Sequence, residues 1–121
     1  MIAVSLMIYL EGTRSIISSE EDIEIVAETQ KSSNVISLVE KMKPDVLFLD
    51  VAIPKLDVVN IIDSIKEKSP DTKVLLLLPT RDRDKITNFI SLGAKGCLTY
   101  RSSPKQIIQA IRAVSKEKIW T

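Results

Sequence analysis

Apolar runs alternate with amphipathic stretches from one end of the chain to the other. Residues 2–9 are almost continuously apolar and predict a buried strand. Residues 23–27, opened by the acids Glu20, Glu21 and Asp22, predict a second strand, with a short helix between the two around residues 14–19. Ser32 or Ser33 can cap a helix whose apolar positions Val35, Leu38, Val39 and Met42 recur at helical spacing, and Pro44 stops it. Residues 46–49 form a continuous apolar strand ending in Asp50, and Pro54 breaks the loop 53–57. Val58, Ile61, Ile62 and Ile65 mark the apolar stripe of a third helix, which ends before Ser69-Pro70. Residues 74–78 are five apolar side chains in succession, as expected of a strand covered on both faces. A helix carrying Ile86, Phe89 and Ile90 runs to Gly93, and Gly96–Thr99 is a short strand. Ser103-Pro104-Lys105-Gln106 then offers a cap, a proline at the first helical position and a capping-box glutamine. The helix it opens carries Ile107, Ala110, Ile111 and Val114 on one stripe.

Five strands alternating with five helices predict an α/β fold with a parallel sheet and helices on both faces. At 121 residues the chain is the size of one domain, and residues 1–121 are expected to form one. Apolar residues make up 45% and aromatic ones only 4%, so the core must be aliphatic. Histidine is absent, which removes His general bases, Ser–His and Cys–His pairs and most zinc chemistry. The lone cysteine, Cys97, cannot form an internal disulfide and is read as a small buried hydrophobe in a reducing cytoplasm. No apolar run approaches the ~18 residues of a membrane helix and no signal peptide opens the chain, so a soluble cytoplasmic domain without membrane contact is expected.

The net charge of +1 conceals a division. Residues 1–63 hold 5 basic and 11 acidic side chains; residues 64–121 hold 12 basic and 5 acidic ones. Such a split suits charge-guided docking as well as solvated faces. Direct nucleic-acid binding is not expected, given the near-neutral total, the scarce aromatics and the lack of a reading helix. A separate catalytic activity is not expected either: there is no glycine-rich phosphate loop, no metal-ligand cluster, and no nucleophile with a base.

In an open parallel sheet, ligands gather outside the carboxyl ends of the strands, where strand order reverses. Asp50, closing a fully apolar strand, is the polar residue most clearly placed there. Lys43-Pro44-Asp45-Val46-Leu47-Phe48-Leu49-Asp50, followed by Val51-Ala52-Ile53-Pro54-Lys55-Leu56-Asp57, resembles the phosphoacceptor strand and loop of two-component receiver domains. Ser69-Pro70 with the strand after it, Gly93-Ala94-Lys95-Gly96, and Ser103-Pro104 through Val114 to Ile119-Trp120 resemble further receiver segments. The last of these, with residues 22–28, is similar to the NarL/FixJ-type subgroup.

The resemblance implies a flavodoxin-like (CheY-like) five-stranded sheet in the order 2-1-3-4-5, a phosphoacceptor at Asp50, and a magnesium ion held with two further acids after the first strand. It also implies a lysine after the fifth strand and a mobile hydroxyl after the fourth, which handle the phosphoryl charge, and a switch aromatic. Carried over residue by residue, the acidic pair falls at Ile8 and Tyr9 with a three-residue gap, or at Val4 and Ser5 without it; neither placement supplies an acid. The hydroxyl position holds Leu78, the aromatic position Cys97 and the lysine position Tyr100, while Lys55 and Val58 stand where small glycines are usual. Glu11 is a candidate displaced metal ligand beside Asp50, Thr80 or Thr99 a candidate substitute hydroxyl, and Arg101 a candidate fixed cation for Asp50.

The expectation is therefore an atypical receiver acting as a signalling and protein-interaction module, independent of phosphorylation and without a cofactor. It would regulate a transcription-factor output, form a homodimer, and sit in a longer parent before a helix-turn-helix domain absent from this chain. The alternative is a working phosphoacceptor, phosphorylated on Asp50 by a histidine kinase through a remodelled Mg2+ site using Glu11 and Asp57.

Overall fold

Strand and helix alternate strictly through the computed structural model, which describes residues 1–121. The elements are β1 (Ile2–Ala3), α1 (Met7–Ser18), β2 (Glu28–Thr29), α2 (Ser32–Met42), β3 (Val46–Asp50), α3 (Val58–Lys68), β4 (Lys73–Leu78), α4 (Arg83–Leu92), β5 (Gly96–Thr99) and α5 (Pro104–Ser115). All strand pairs are parallel and the sheet runs β2-β1-β3-β4-β5, so strand order reverses between β1 and β3.

The side-chain alternation of the central strands divides the core in two. Leu47, Leu49, Val74, Leu76 and Leu78 face one cluster with residues of α2, α3 and α4. Phe48, Leu75 and Leu77 face the other, with Leu10 and Ile17 of α1 and the stripe of α5. Leu47 and Leu49 of β3 and Leu75, Leu76 and Leu77 of β4 are wholly inaccessible, as the apolar runs 46–49 and 74–78 predict. Side chains cap three helices: Asp57 and Asp82 accept from the backbone N–H groups of Asn60 and Lys85, and Ser103 with Gln106 forms the complete capping box of α5 that its sequence predicts. Helix α2 begins at Ser32 but has no side-chain cap; it ends with Lys43 in the left-handed region, just before Pro44.

The beginning of the chain departs from the expectation. The strand predicted over 2–9 stops at Ala3, and Met7, Ile8 and Tyr9 are the first turn of α1. That helix buries Leu10, Thr13 and Ile17, which share one face, and leaves Leu6, Met7 and Ile8 exposed despite their apolar character. Likewise the strand expected over 23–27 forms its ladder only at Glu28–Thr29; Ile23 and Ile25 are half-buried against the α1–α5 core without pairing. No helix is long and apolar enough to cross a membrane.

Candidate functional site

Asp50 closes β3 at the carboxyl rim of the sheet, and only 2% of its surface reaches solvent. Three in-chain donors meet its carboxylate. The Ser5 backbone N–H donates to Oδ2 at 3.1 Å, the Ala52 backbone N–H to Oδ1 at 2.9 Å, and the Tyr100 hydroxyl to Oδ1 at 2.9 Å. No Lys or Arg lies within ion-pairing distance of it. A buried carboxyl group without a counter-ion is tolerable only when it is hydrogen-bonded, and both oxygens of Asp50 accept.

Each donor is positioned by the local fold. Ser5 lies two residues beyond the short β1, and its carbonyl accepts from the Gln30 side-chain amide at 3.0 Å, which holds the peptide next to the one that donates to Asp50. Ala52 N–H turns back onto the carboxylate two residues earlier, an Asx turn at the strand end. Tyr100 is held where β5 ends, its backbone N–H donating to Leu78 O at 3.1 Å. Its ring packs against Tyr9 with centroids 5.5 Å apart and planes tilted by 45°. Burial first, then the hydrogen bond to Asp50 and its charge, push the Tyr100 hydroxyl up to about 12. Burial and the Asp50 charge raise Tyr9 as well. Both hydroxyls keep their protons at physiological pH, and that of Tyr100 is donated to Asp50.

The site residues read from the sequence lie at different distances from this carboxylate. Of the two placements of the acidic pair, Val4 and Ser5 directly follow β1, whereas Ile8 and Tyr9 lie in the first turn of α1. Ile8 is 80% exposed and takes no part, whereas Tyr9 serves as the aromatic neighbour of Tyr100. The Arg101–Asp50 pair does not form: Arg101 is exposed, and Tyr100 supplies the donor instead. Glu11 is exposed on α1 and makes no contact with Asp50. Asp57 is occupied as the cap of α3. Thr80 is exposed without a hydrogen bond to Asp50, and Thr99 accepts from Arg101 N–H. Leu78 and Cys97 are buried in the core, with burial pushing the Cys97 thiol up to about 11. Lys55, where a glycine is usual, adopts φ 64° and therefore occupies the left-handed region.

The tyrosine pair was not anticipated as a pair, although composition holds a signal: the chain has two tyrosines, and both stand at this carboxylate. Ser5 and Gln30 act through a backbone N–H and a side-chain amide, which a motif does not record. The magnesium site implied by the resemblance fails a test of fit. No group of three or more Cys, Asp and Glu side chains comes together to hold a metal, and all the donors around Asp50 are N–H and O–H groups. A hollow of about 570 Å³ at the opposite, amino end of the strands is bordered by Asp22, Asp45, Lys43 and Arg112, and does not reach Asp50.

Residues 7–112 match the family described as the response regulator receiver domain. The chain is 31% identical over 109 residues to the transcriptional regulatory protein DegU of Brevibacillus brevis, covering 90% of this chain and 46% of that protein. It is 35% identical over 104 residues to the oxygen regulatory protein NreC of Staphylococcus epidermidis, covering 85% of this chain and 48% of NreC. The chain thus spans about half the length of these curated relatives. Among solved structures, a LuxR-family two-component response regulator from Aurantimonas superposes with a TM-score of 0.91 at 21% identity, covering 100% of this chain and 86% of that one. The receiver domain of RcsB from Salmonella enterica superposes at 0.86 with 22% identity, covering 99% and 90%. Through its sequence match, its strand order and its acidic strand end at Asp50, the chain belongs to the response regulator receiver domain family.

Proposed function

We propose that this receiver acts as a cytoplasmic signalling and interaction module whose state is held by the Tyr100–Asp50 contact rather than set by phosphorylation. The observation carrying the proposal is the neutral tyrosine hydroxyl 2.9 Å from Oδ1, at the position where the family resemblance expects a lysine. Phosphoryl transfer to a carboxylate develops negative charge that needs a metal or a fixed cation. Here the approaching group would meet the two tyrosines, Tyr9 and Tyr100, and no cation. The module would serve in a longer regulator with a transcriptional output, in keeping with the name of its relative DegU, a transcriptional regulatory protein. Its acidic first half and basic second half occupy opposite flanks of the sheet, which favours head-to-tail homodimerisation. Sedimentation should then show self-association that weakens as salt is raised.

A second reading has its own support: phosphorylation of Asp50 by a histidine kinase. Asp50 keeps the acceptor position and is buried at the strand end. The related RcsB receiver was determined in the presence of the phosphomimetic BeF3−. Incubation with acetyl phosphate and Mg2+ followed by intact-mass measurement separates the two. An unchanged mass is expected. A gain of one phosphoryl group, absent from Asp50→Ala, would establish the second reading in place of the first.

A further inference from the structure

Beyond α5 the chain does not leave the sheet. Lys118 N–H donates back to Ala113 O at 3.0 Å, and Glu117, at φ 63°, turns the backbone. The next residues run alongside β5. Trp120 N–H donates to Lys95 O at 3.0 Å and Cys97 N–H donates to Trp120 O at 2.9 Å, a parallel bridge with Gly96. Arg81, in the β4–α4 loop, donates from its guanidinium to Thr121 O at 2.9 Å. The indole packs on the α1–α5 core. Gly96 makes this approach possible, because a Cβ there would lie 2.8 Å from Trp120 O and 3.0 Å from Trp120 Cβ.

We propose that the outer edge of β5 is a strand-accepting surface whose occupant is the chain's own segment 119–121, and that this clasp is coupled to the Asp50 site through Tyr100. The clasp grips two segments, β5 through its backbone and the β4–α4 loop through Arg81. The same two segments hold Tyr100, which follows β5 directly and is bonded through its N–H to Leu78 O, three residues before Arg81. Loss of the Tyr100–Asp50 bond frees the end of β5 and loosens the edge on which Trp120 sits. A closed clasp also leaves no free β5 edge for a second copy to pair with.

The coupling is independent of whether Asp50 accepts phosphate, and the test separates the two because no phosphodonor is present. Trp120 is the only tryptophan, so its fluorescence in the full chain reports the clasp. Gly96→Ala should expel the segment, shifting Trp120 emission to the red and raising amide exchange at Cys97 about tenfold, with the β3 and β4 amides still protected. Should Gly96→Ala fail to fold, Trp120→Ala gives the same exchange readout without touching the sheet. Tyr100→Phe should raise Cys97 exchange several-fold, while Arg101→Ala leaves it at the wild-type rate. Unchanged Trp120 emission in folded Gly96→Ala overturns the clasp. Unchanged Cys97 exchange in Tyr100→Phe overturns its coupling to the site.

Discussion

Replacing Tyr100 by Phe deletes one oxygen and keeps the ring against Tyr9, so it isolates the hydrogen bond to Asp50. A hydrogen bond to a charged group contributes about 1.5–3 kcal/mol net. Tyr100 is 38% exposed, so water can replace part of the loss. The Ser5 and Ala52 N–H groups also remain on the carboxylate. A destabilisation of ~1–2 kcal/mol is therefore expected, below the full charged-group value. For a chain of 121 residues, an unfolding entropy of ~2.1 cal/mol/K per residue converts 1.5 kcal/mol into a drop in Tm of about 6 °C. Urea and thermal unfolding followed by circular dichroism measure both quantities. A double-mutant cycle with Asp50→Ala should return a coupling of about 1 kcal/mol or more. The pH dependence adds an independent check. The folded chain holds the Tyr100 proton more tightly than the unfolded chain, so this stability is complete below about pH 10 and is lost as the pH climbs towards about 12. Tyr100→Phe should remove that alkaline loss. A coupling below ~0.3 kcal/mol, together with an unaltered alkaline limb, would refute the assignment of Tyr100 as the holder of Asp50.

Cys97 should contribute a second alkaline component: burial raises its thiol to about 11, so stability falls between its ordinary value near 9 and about 11, and Cys97→Ala should flatten that interval in a pH series of melts. Lys55→Gly should stabilise the chain by up to ~1 kcal/mol in urea titrations, because a lysine at φ 64° carries a steric cost that glycine lacks. Leu76→Ala, at a wholly buried position facing the α2–α3 core, should cost ~2–5 kcal/mol, read as a lowered midpoint in urea unfolding. Arg112→Ala removes the contacts to Glu20 and Asp22 at 2.9 and 2.8 Å and should speed amide exchange in residues 20–25 while leaving β3 protected.

The central and later parts of the fold were legible because periodicity, caps and breakers agreed there. The β4 run, the Gly96–Thr99 strand and the Ser103–Gln106 capping box all occur where local chemistry places them. The strand expected over 2–9 is too long because these residues are apolar apart from Ser5, and composition does not separate a buried strand from a helix start that exposes Leu6, Met7 and Ile8. Pattern also could not reveal that Ile23 and Ile25 pack without pairing, since extended backbone and ladder share the same hydrophobicity. At the site, Asp50 was legible from its place after an apolar strand. Its partners were not, because two of its three hydrogen bonds come from backbone N–H groups and the third spans 50 residues of sequence.

The position of β1 in the sheet has a consequence for how the chain comes into being. The first strand lies between β2 and β3, with Ile2 opposite both Glu28 and Phe48. Two residues paired on one side alone cannot hold a ladder, so a nascent chain emerging amino end first has no lasting place for its opening residues until β3 has been made. Until then Ile2 and Val4 stay uncovered, and Ser5 N–H has no carboxylate to meet. The β1–β3 pair and the Ser5 contact to Asp50 thus close together once β3 has been made, with the Tyr100 contact following only after β5, and a ribosome-bound chain halted before residue 46 should remain open to proteolysis over residues 2–5.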